Sequence, residues 1–190
     1  MSPEPPSPEQ GPALHDVAVL GLGAIGLATA WRLAGAGLSV LGLEQHDLFH
    51  DRGSSHGSTR VTRKAYFEHP GYVPLLHRAH DGWRELEQQS GASLLVPCGV
   101  LSLGPPDGVL VPGVRRSSLE HAIPTVELSP EGLRQRFPGL HVPADWAAVL
   151  EESVGFLYAD RALRALAAAA RERGALLLDH PHVESWSVGP

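Results

Sequence analysis

Apolar residues first form an unbroken run at Val17-Ala18-Val19-Leu20, closed by glycine. A short continuous run of this kind predicts a strand covered on both faces, as in a parallel sheet. Over residues 24–36 the spacing changes: Ile25, Leu27, Ala28, Ala30, Trp31, Leu33 and Ala34 recur at helical intervals, and Gly35 and Gly37 offer a stop. A second apolar run over residues 38–43 closes on Glu44. Strand, tight turn, helix and strand in about 30 residues make a βαβ unit, whose crossover rule sets the two strands parallel.

The pattern is weaker beyond this point. A polar loop over residues 45–59 leads to a helix predicted over 70–89, with Tyr72, Leu76, Ala79, Trp83 and Leu86 on its apolar face and Pro70 in a tolerated first-turn place. Residues 94–103 read as strand, and 109–123 as a shorter helix with Pro112 near its start. Ser129-Pro130-Glu131 starts a helix over 133–137, and residues 146–158 read as two strands around Ser153 and Gly155. Asp160 is the predicted cap of an alanine-rich helix over 161–173, stopped by Gly174 and followed by strands at 175–179 and 182–186. No internal repeat is evident.

Composition narrows the class. With 190 residues, 43% apolar and 19% charged, the chain fits one globular domain, or one with an insertion. The net charge of −6, with Lys64 the only lysine, leaves no basic stripe for nucleic acid. Cys98 stands alone, so no internal disulfide or Cys-based zinc site can form, and a reducing compartment is expected. No apolar run reaches the roughly 20 residues a bilayer crossing needs, and the proline-rich start lacks a secretion pattern. A cytoplasmic protein with no membrane partner is therefore expected, with residues 1–14 a disordered tail. His46, His50 and His56, with Asp47 and Asp51, match no standard zinc spacing, so no metal is expected.

Chemistry enters at Gly21-Leu-Gly23-Ala-Ile-Gly26, where the first strand turns into the helix. Gly21 permits the tight turn, Gly23 lets the backbone approach a diphosphate, and Gly26 lets helix and strand meet closely. Ala24 and Ile25, inside the motif, belong to the same cofactor-binding turn, whose unpaired amides face an anion at the positive helix end. Glu44, eighteen positions after Gly26, has the spacing of an acid that accepts from ribose hydroxyls. A carboxylate there repels a 2′-phosphate, which favours FAD or NAD over NADP.

The stretch Gly53-Ser-Ser-His56-Gly57-Ser-Thr59-Arg60-Val-Thr-Arg63-Lys-Ala-Tyr66 resembles the loop after the second strand in the monomeric sarcosine oxidase and N-methyltryptophan oxidase family, within the glycine/D-amino-acid oxidase superfamily. The similarity continues through Glu68, Tyr72-Val-Pro-Leu75, Trp83-Arg-Glu-Leu-Glu87, Gly99-Val-Leu-Ser-Leu-Gly104 and Gly155-Phe-Leu to Val183. It implies an FAD enzyme that oxidises a secondary or N-methyl amino acid and passes the electrons to oxygen, giving peroxide. By resemblance Arg63 pairs with the substrate carboxylate, a task for a planar fork of donors. Arg60 and His56 lie at the flavin ring as the catalytic pair, Gly53 and Ser54 against the cofactor, and Val183 at the adenine. The similarity corresponds to the N-terminal half of such enzymes, so a C-terminal half or partner subunit is implied.

The fold class so implied is α/β: a Rossmann-like FAD-binding domain with a parallel sheet, residues 15–92 and 150–190, interrupted by part of a mixed α+β substrate lobe, residues 93–149. Two other readings stay open. One is a non-catalytic flavin-binding remnant or subunit; the other is an NAD-dependent dehydrogenase built on the same βαβ unit.

Overall fold

The computed structural model describes residues 14–188, so all of the expected tail except Leu14 lies outside the described residues. These form two units, residues 14–56 with 163–188 and residues 57–162.

The chain starts with β1 (Val17–Leu20), α1 (Ala24–Gly35) and β2 (Val40–Glu44). β1 and β2 are parallel, Val17 opposite Val40 and Leu20 opposite Leu43. Helix α1 buries Leu27, Ala30, Trp31 and Ala34, one stripe at helical spacing. Ile25 is 86% exposed, since it sits in the first turn, ahead of that stripe. β2 begins two residues later than predicted because the Asp16 carboxylate takes the amide of Ser39 at 2.8 Å. β1 is not covered on both faces: Val19 is buried, while Ala18 and Leu20 are exposed.

The second unit opens with β3 (Thr59–Thr62), a strand that its mostly polar residues did not signal. A single 3₁₀ turn at Pro70–Tyr72, capped by His69, leads into α2 (Val73–Ser90). Its buried residues are Val73, His80, Gly82 and Leu86, so the stripe passes through His80 instead of the predicted Ala79, and Val73 replaces Tyr72. Gly91, at φ +69°, ends the helix by donating to the Glu87 carbonyl at 2.9 Å. The strand predicted over 94–103 is two, β4 (Leu95–Val96) and β5 (Val100–Gly104), separated at Pro97 and at Gly99 with φ +82°.

There follow α3 (Leu110–Glu120), β6 (Val126–Leu128), α4 (Pro130–Arg136), β7 (Ala147–Glu151) and β8 (Gly155–Tyr158). Ser129 caps α4 by accepting from Gly132 at 3.1 Å, as its sequence predicts. β8 lies between β3 and β4, and β7 between β5 and β6, all antiparallel. Ala65, Val73, Val111, Val114, Ile123 and Val149 form a core between the 63–68 loop, α2, α3 and β7.

α5 (Ala159–Glu172) leads back to the parallel sheet as β9 (Leu176–Asp179), which joins β2 with Glu44 opposite Asp179. The order is β1-β2-β9. Asp160 is not the cap of α5; the helix starts one residue earlier, with Ala159 donating to the Ser58 carbonyl at 3.0 Å, and Asp160 lies inside the first turn. The strand expected over 182–186 does not form: His180 turns to φ +69° and Pro181 follows, which ends the extended run. Among the described residues no helix is long and apolar enough to cross a membrane.

Candidate functional site

The carboxyl ends of β1 and β2 open onto a groove of about 530 Å³ whose lining includes Gly23, Ala24, Ile25, Gly26, Gly53 and Ser54. Gly21 and Glu44 line it too. Eight residues assigned to the cofactor from sequence are thus brought together, where ligands of open α/β sheets bind. A Cβ on Gly26 would sit 1.9 Å from the Gly21 carbonyl oxygen, so only glycine permits this approach of helix to turn. Gly21 itself holds φ +87°.

The first turn of α1 has no cap from its own preceding residue, Gly23. Instead Ser55 reaches in from the loop after β2 and accepts from the Ala24 amide at 3.0 Å. Its hydroxyl, which donates to no acceptor among the described residues, can point at an anion, while helix geometry leaves the neighbouring first-turn amides without intrahelical acceptors. Ser55 was not among the residues assigned from sequence. Capping rules look at the residue next to the helix, and Ser55 comes from 31 positions away.

Glu44 is buried at the tip of β2. One oxygen accepts from the Leu22 amide at 2.9 Å, and the other from the His46 amide at 3.2 Å, with His50 Nε2 at 3.3 Å. The carboxylate therefore braces the glycine turn, and of its roughly four lone-pair sites it keeps about one for a ribose hydroxyl. Burial pushes its pKa up, but the Leu22 and His46 amides and the His50 and His46 imidazoles outweigh this and hold it below the ordinary value. It is an anion wherever the protein works near neutrality. A second cleft of about 370 Å³ shares Gly21 and Glu44 and includes Val183, placed there by the irregular segment after β9.

His56 and Arg60, expected from sequence at the flavin ring, are not part of the groove lining. His56 is exposed and its Nδ1 meets the Gly53 carbonyl. Arg60, exposed on β3 in the second unit, donates from Nη1 to the Thr59 carbonyl at 2.7 Å. Arg63, also in that unit, is half-buried. Its guanidinium carbon lies 5.0 Å from the Tyr66 ring and 5.2 Å from that of Phe67, and Nη2 is 3.6 Å from Glu68. Its Nε is buried with no hydrogen-bond partner among the described residues. A guanidinium over two rings, with a buried donor unused among the described residues, suits a carboxylate ligand.

Near Arg63, His80 Nε2 meets Thr62 Oγ1 at 2.7 Å. Burial, with Lys64, Arg84 and His77 nearby, pushes the imidazole down to about 4, against an opposing pull from Asp81. An unfolded chain protonates this histidine near 6.5, so between that pH and about 4 the unfolded state binds more protons and stability falls as pH falls. The full loss is about 3 kcal/mol. Urea unfolding of the wild type and His80→Gln across this window is expected to show their stability difference shrinking by that amount. A difference that ignores pH would rule out a buried neutral imidazole. Glu151, whose pKa burial raises against the Ala65 and Lys64 amides and the charges of Lys64 and His77, titrates in both proteins and cancels.

The profile of the DAO family, described as FAD dependent oxidoreductase, matches residues 16–189. Monomeric sarcosine oxidase of Streptomyces avermitilis is 37% identical over 172 residues, 90% of this chain and 45% of that protein. N-methyl-L-tryptophan oxidase of Yersinia pestis is 36% identical over 86% of this chain and 44% of its own length. Among solved structures, NikD, an unusual amino acid oxidase essential for nikkomycin biosynthesis, superposes with a TM-score of 0.76 at 29% identity, covering 87% of this chain and 43% of NikD. L-proline dehydrogenase from P. horikoshii gives 0.75 at 25% identity, covering 90% of this chain and 46% of that one. The chain spans under half the length of the curated relatives it matches.

Proposed function

Because the chain belongs to the DAO family of FAD dependent oxidoreductases, we propose that it holds FAD and supplies the substrate-carboxylate arginine of an amine oxidase acting on a secondary or N-methyl amino acid, with oxygen as acceptor and peroxide as product. The observation that carries the cofactor half is the groove in which the Gly21–Gly26 turn, Ser55 and the anionic Glu44 converge. Gly23 and the first-turn amides face the diphosphate, with Gly26, whose place no side chain could share, holding the helix against the turn; Glu44 takes the ribose, Gly53 and Ser54 line the cofactor, and Val183 meets the adenine. Bound FAD supplies acceptance of a hydride from the carbon beside the amine nitrogen.

The chain's own residues place and charge that site. Arg63 orients the amino acid through its carboxylate, and Arg60 and His56 serve the flavin ring, where a cation stabilises negative charge. Residues 93–149 are the part of the substrate lobe present. The similarity to sarcosine and N-methyl-L-tryptophan oxidases supports the substrate class.

A second reading has its own support: the chain spans under half of its relatives, and Ala18 and Leu20 on β1 are exposed. In it, this chain takes up FAD but turns over no amine unless a further polypeptide completes the site. One experiment tests both. Purified protein titrated with FAD is expected to yield a protein-bound flavin spectrum and a raised melting temperature, with no such shift from NAD. Peroxide from N-methylglycine then supports the oxidase; bound flavin without peroxide supports the second reading; no flavin uptake sinks both.

A further inference from the structure

Three contacts converge on the short segment that follows Arg63, and from them we propose that Glu151, together with Ser117, is a positioning residue that sets the plane of the Arg63 guanidinium. The inference rests on Arg63 being the carboxylate-binding group. Glu151, the last residue of β7, is 3% exposed. Its carboxylate accepts from the Lys64 amide at 3.2 and 3.3 Å and from the Ala65 amide at 3.0 Å, the two residues directly after Arg63. From α3, the fully buried Ser117 donates to the Tyr66 carbonyl at 2.5 Å. One turn earlier on α3, Gly113 lies so close to the Phe67 backbone that a Cβ would fall 2.1 Å from its carbonyl oxygen.

Residues 64–67 are thus fixed in succession, two by Glu151, one by Ser117 and one by the bare face of Gly113. The consequence for Arg63 follows from what those residues carry. Tyr66 and Phe67 are the rings its guanidinium lies against, and Glu68 is the carboxylate beside Nη2. Fixing the backbone fixes the rings, and the rings with Glu68 fix the fork. Bidentate recognition of a carboxylate depends on that plane, as a point charge would not. A buried carboxylate with no ion-pair partner among the described residues is costly where a neutral acceptor would fill the space. Its charge strengthens the two amide bonds that hold the segment.

The test uses the FAD-loaded chain, with flavin absorbance titrated by N-methylglycine and by dimethylamine, the same amine without a carboxylate. Glu151→Ala is expected to weaken N-methylglycine at least about tenfold while dimethylamine changes less than about twofold and bound FAD is unchanged. Glu151→Gln, which keeps an acceptor for Lys64 and Ala65, recovers most of the loss. Equal weakening of both probes, or of neither, overturns the proposal. If Arg63→Lys leaves N-methylglycine unaffected, the carboxylate-binding role of Arg63 has failed instead. Amide hydrogen exchange needs no ligand, and Ser117→Ala substitutes if Glu151→Ala does not fold. Exchange at residues 64–67 is expected to rise at least about tenfold with the β5–β7 amides unchanged, and unaltered exchange at 64–67 overturns the clamp.

Discussion

Gly26→Ala is expected to lower FAD affinity by at least about a hundredfold, equivalent to roughly 2.7 kcal/mol. The added methyl would meet the Gly21 carbonyl oxygen at 1.9 Å, the Gly21 carbonyl carbon at 3.0 Å and Val19 Cγ1 at 3.4 Å. The first two are backbone atoms, so no rotamer change relieves the clash; α1 or the turn must move by about an ångström. Overpacking of this kind costs about 1–3 kcal/mol of stability, and the same displacement takes the helix amides away from the diphosphate. Gly35→Ala is the control. Its methyl would come 2.4 Å from Arg173 Nη1, the far end of a flexible side chain, so FAD binding is expected to survive. Calorimetric titration with FAD, beside circular dichroism to confirm folding, reads both. A folded Gly26→Ala protein that binds FAD as the wild type does would remove the turn from the site.

This site was legible in the sequence because its determinants are local. The 28 residues of 17–44 contain the first strand, the glycines, the helix and the acid, and each follows from spacing alone. The second unit was harder. β3 reads Thr-Arg-Val-Thr, with too few apolar residues for a strand signal, and forms because β8 supplies a partner about 95 positions away. The stripe of α2 was read one position off at two places, since a histidine does not register as apolar although His80 is buried there. Glu151 gave no signal at all: its partners are backbone amides 86 and 87 positions earlier, which no periodicity reports. Arg60 and Arg63 emerged from family resemblance alone; by spacing they read as a solvated pair, and Arg63 is held by an arrangement that only the folded unit shows.

Glu44 gives the sharpest test of which dinucleotide the groove accepts. The wild type is expected to prefer ADP over its 2′-phosphorylated form by at least about tenfold, because a carboxylate facing a phosphate about 4 Å away is repelled by roughly 1–4 kcal/mol between water-like and surface dielectric values. Its depressed pKa sets the pH range. The charge persists as pH falls to the ordinary carboxylate value of 4.5 and is lost only below it, so the preference is expected to hold throughout mild acid. Glu44→Gln separates the two tasks of this side chain: an amide oxygen can still accept from Leu22 and brace the turn, but the charge has gone. The ratio of the two affinities is then expected to collapse towards one while ADP binding weakens by about tenfold or more, the worth of a hydrogen bond to a charged acceptor. Glu44→Ala goes further, since it frees the Leu22 and His46 amides and leaves the His46 and His50 imidazoles without their carboxylate, a surrounding that favours an added phosphate. Isothermal titration of both nucleotides against the three proteins decides it, and an affinity ratio unchanged by either substitution would mean that Glu44 braces the turn without facing the ribose.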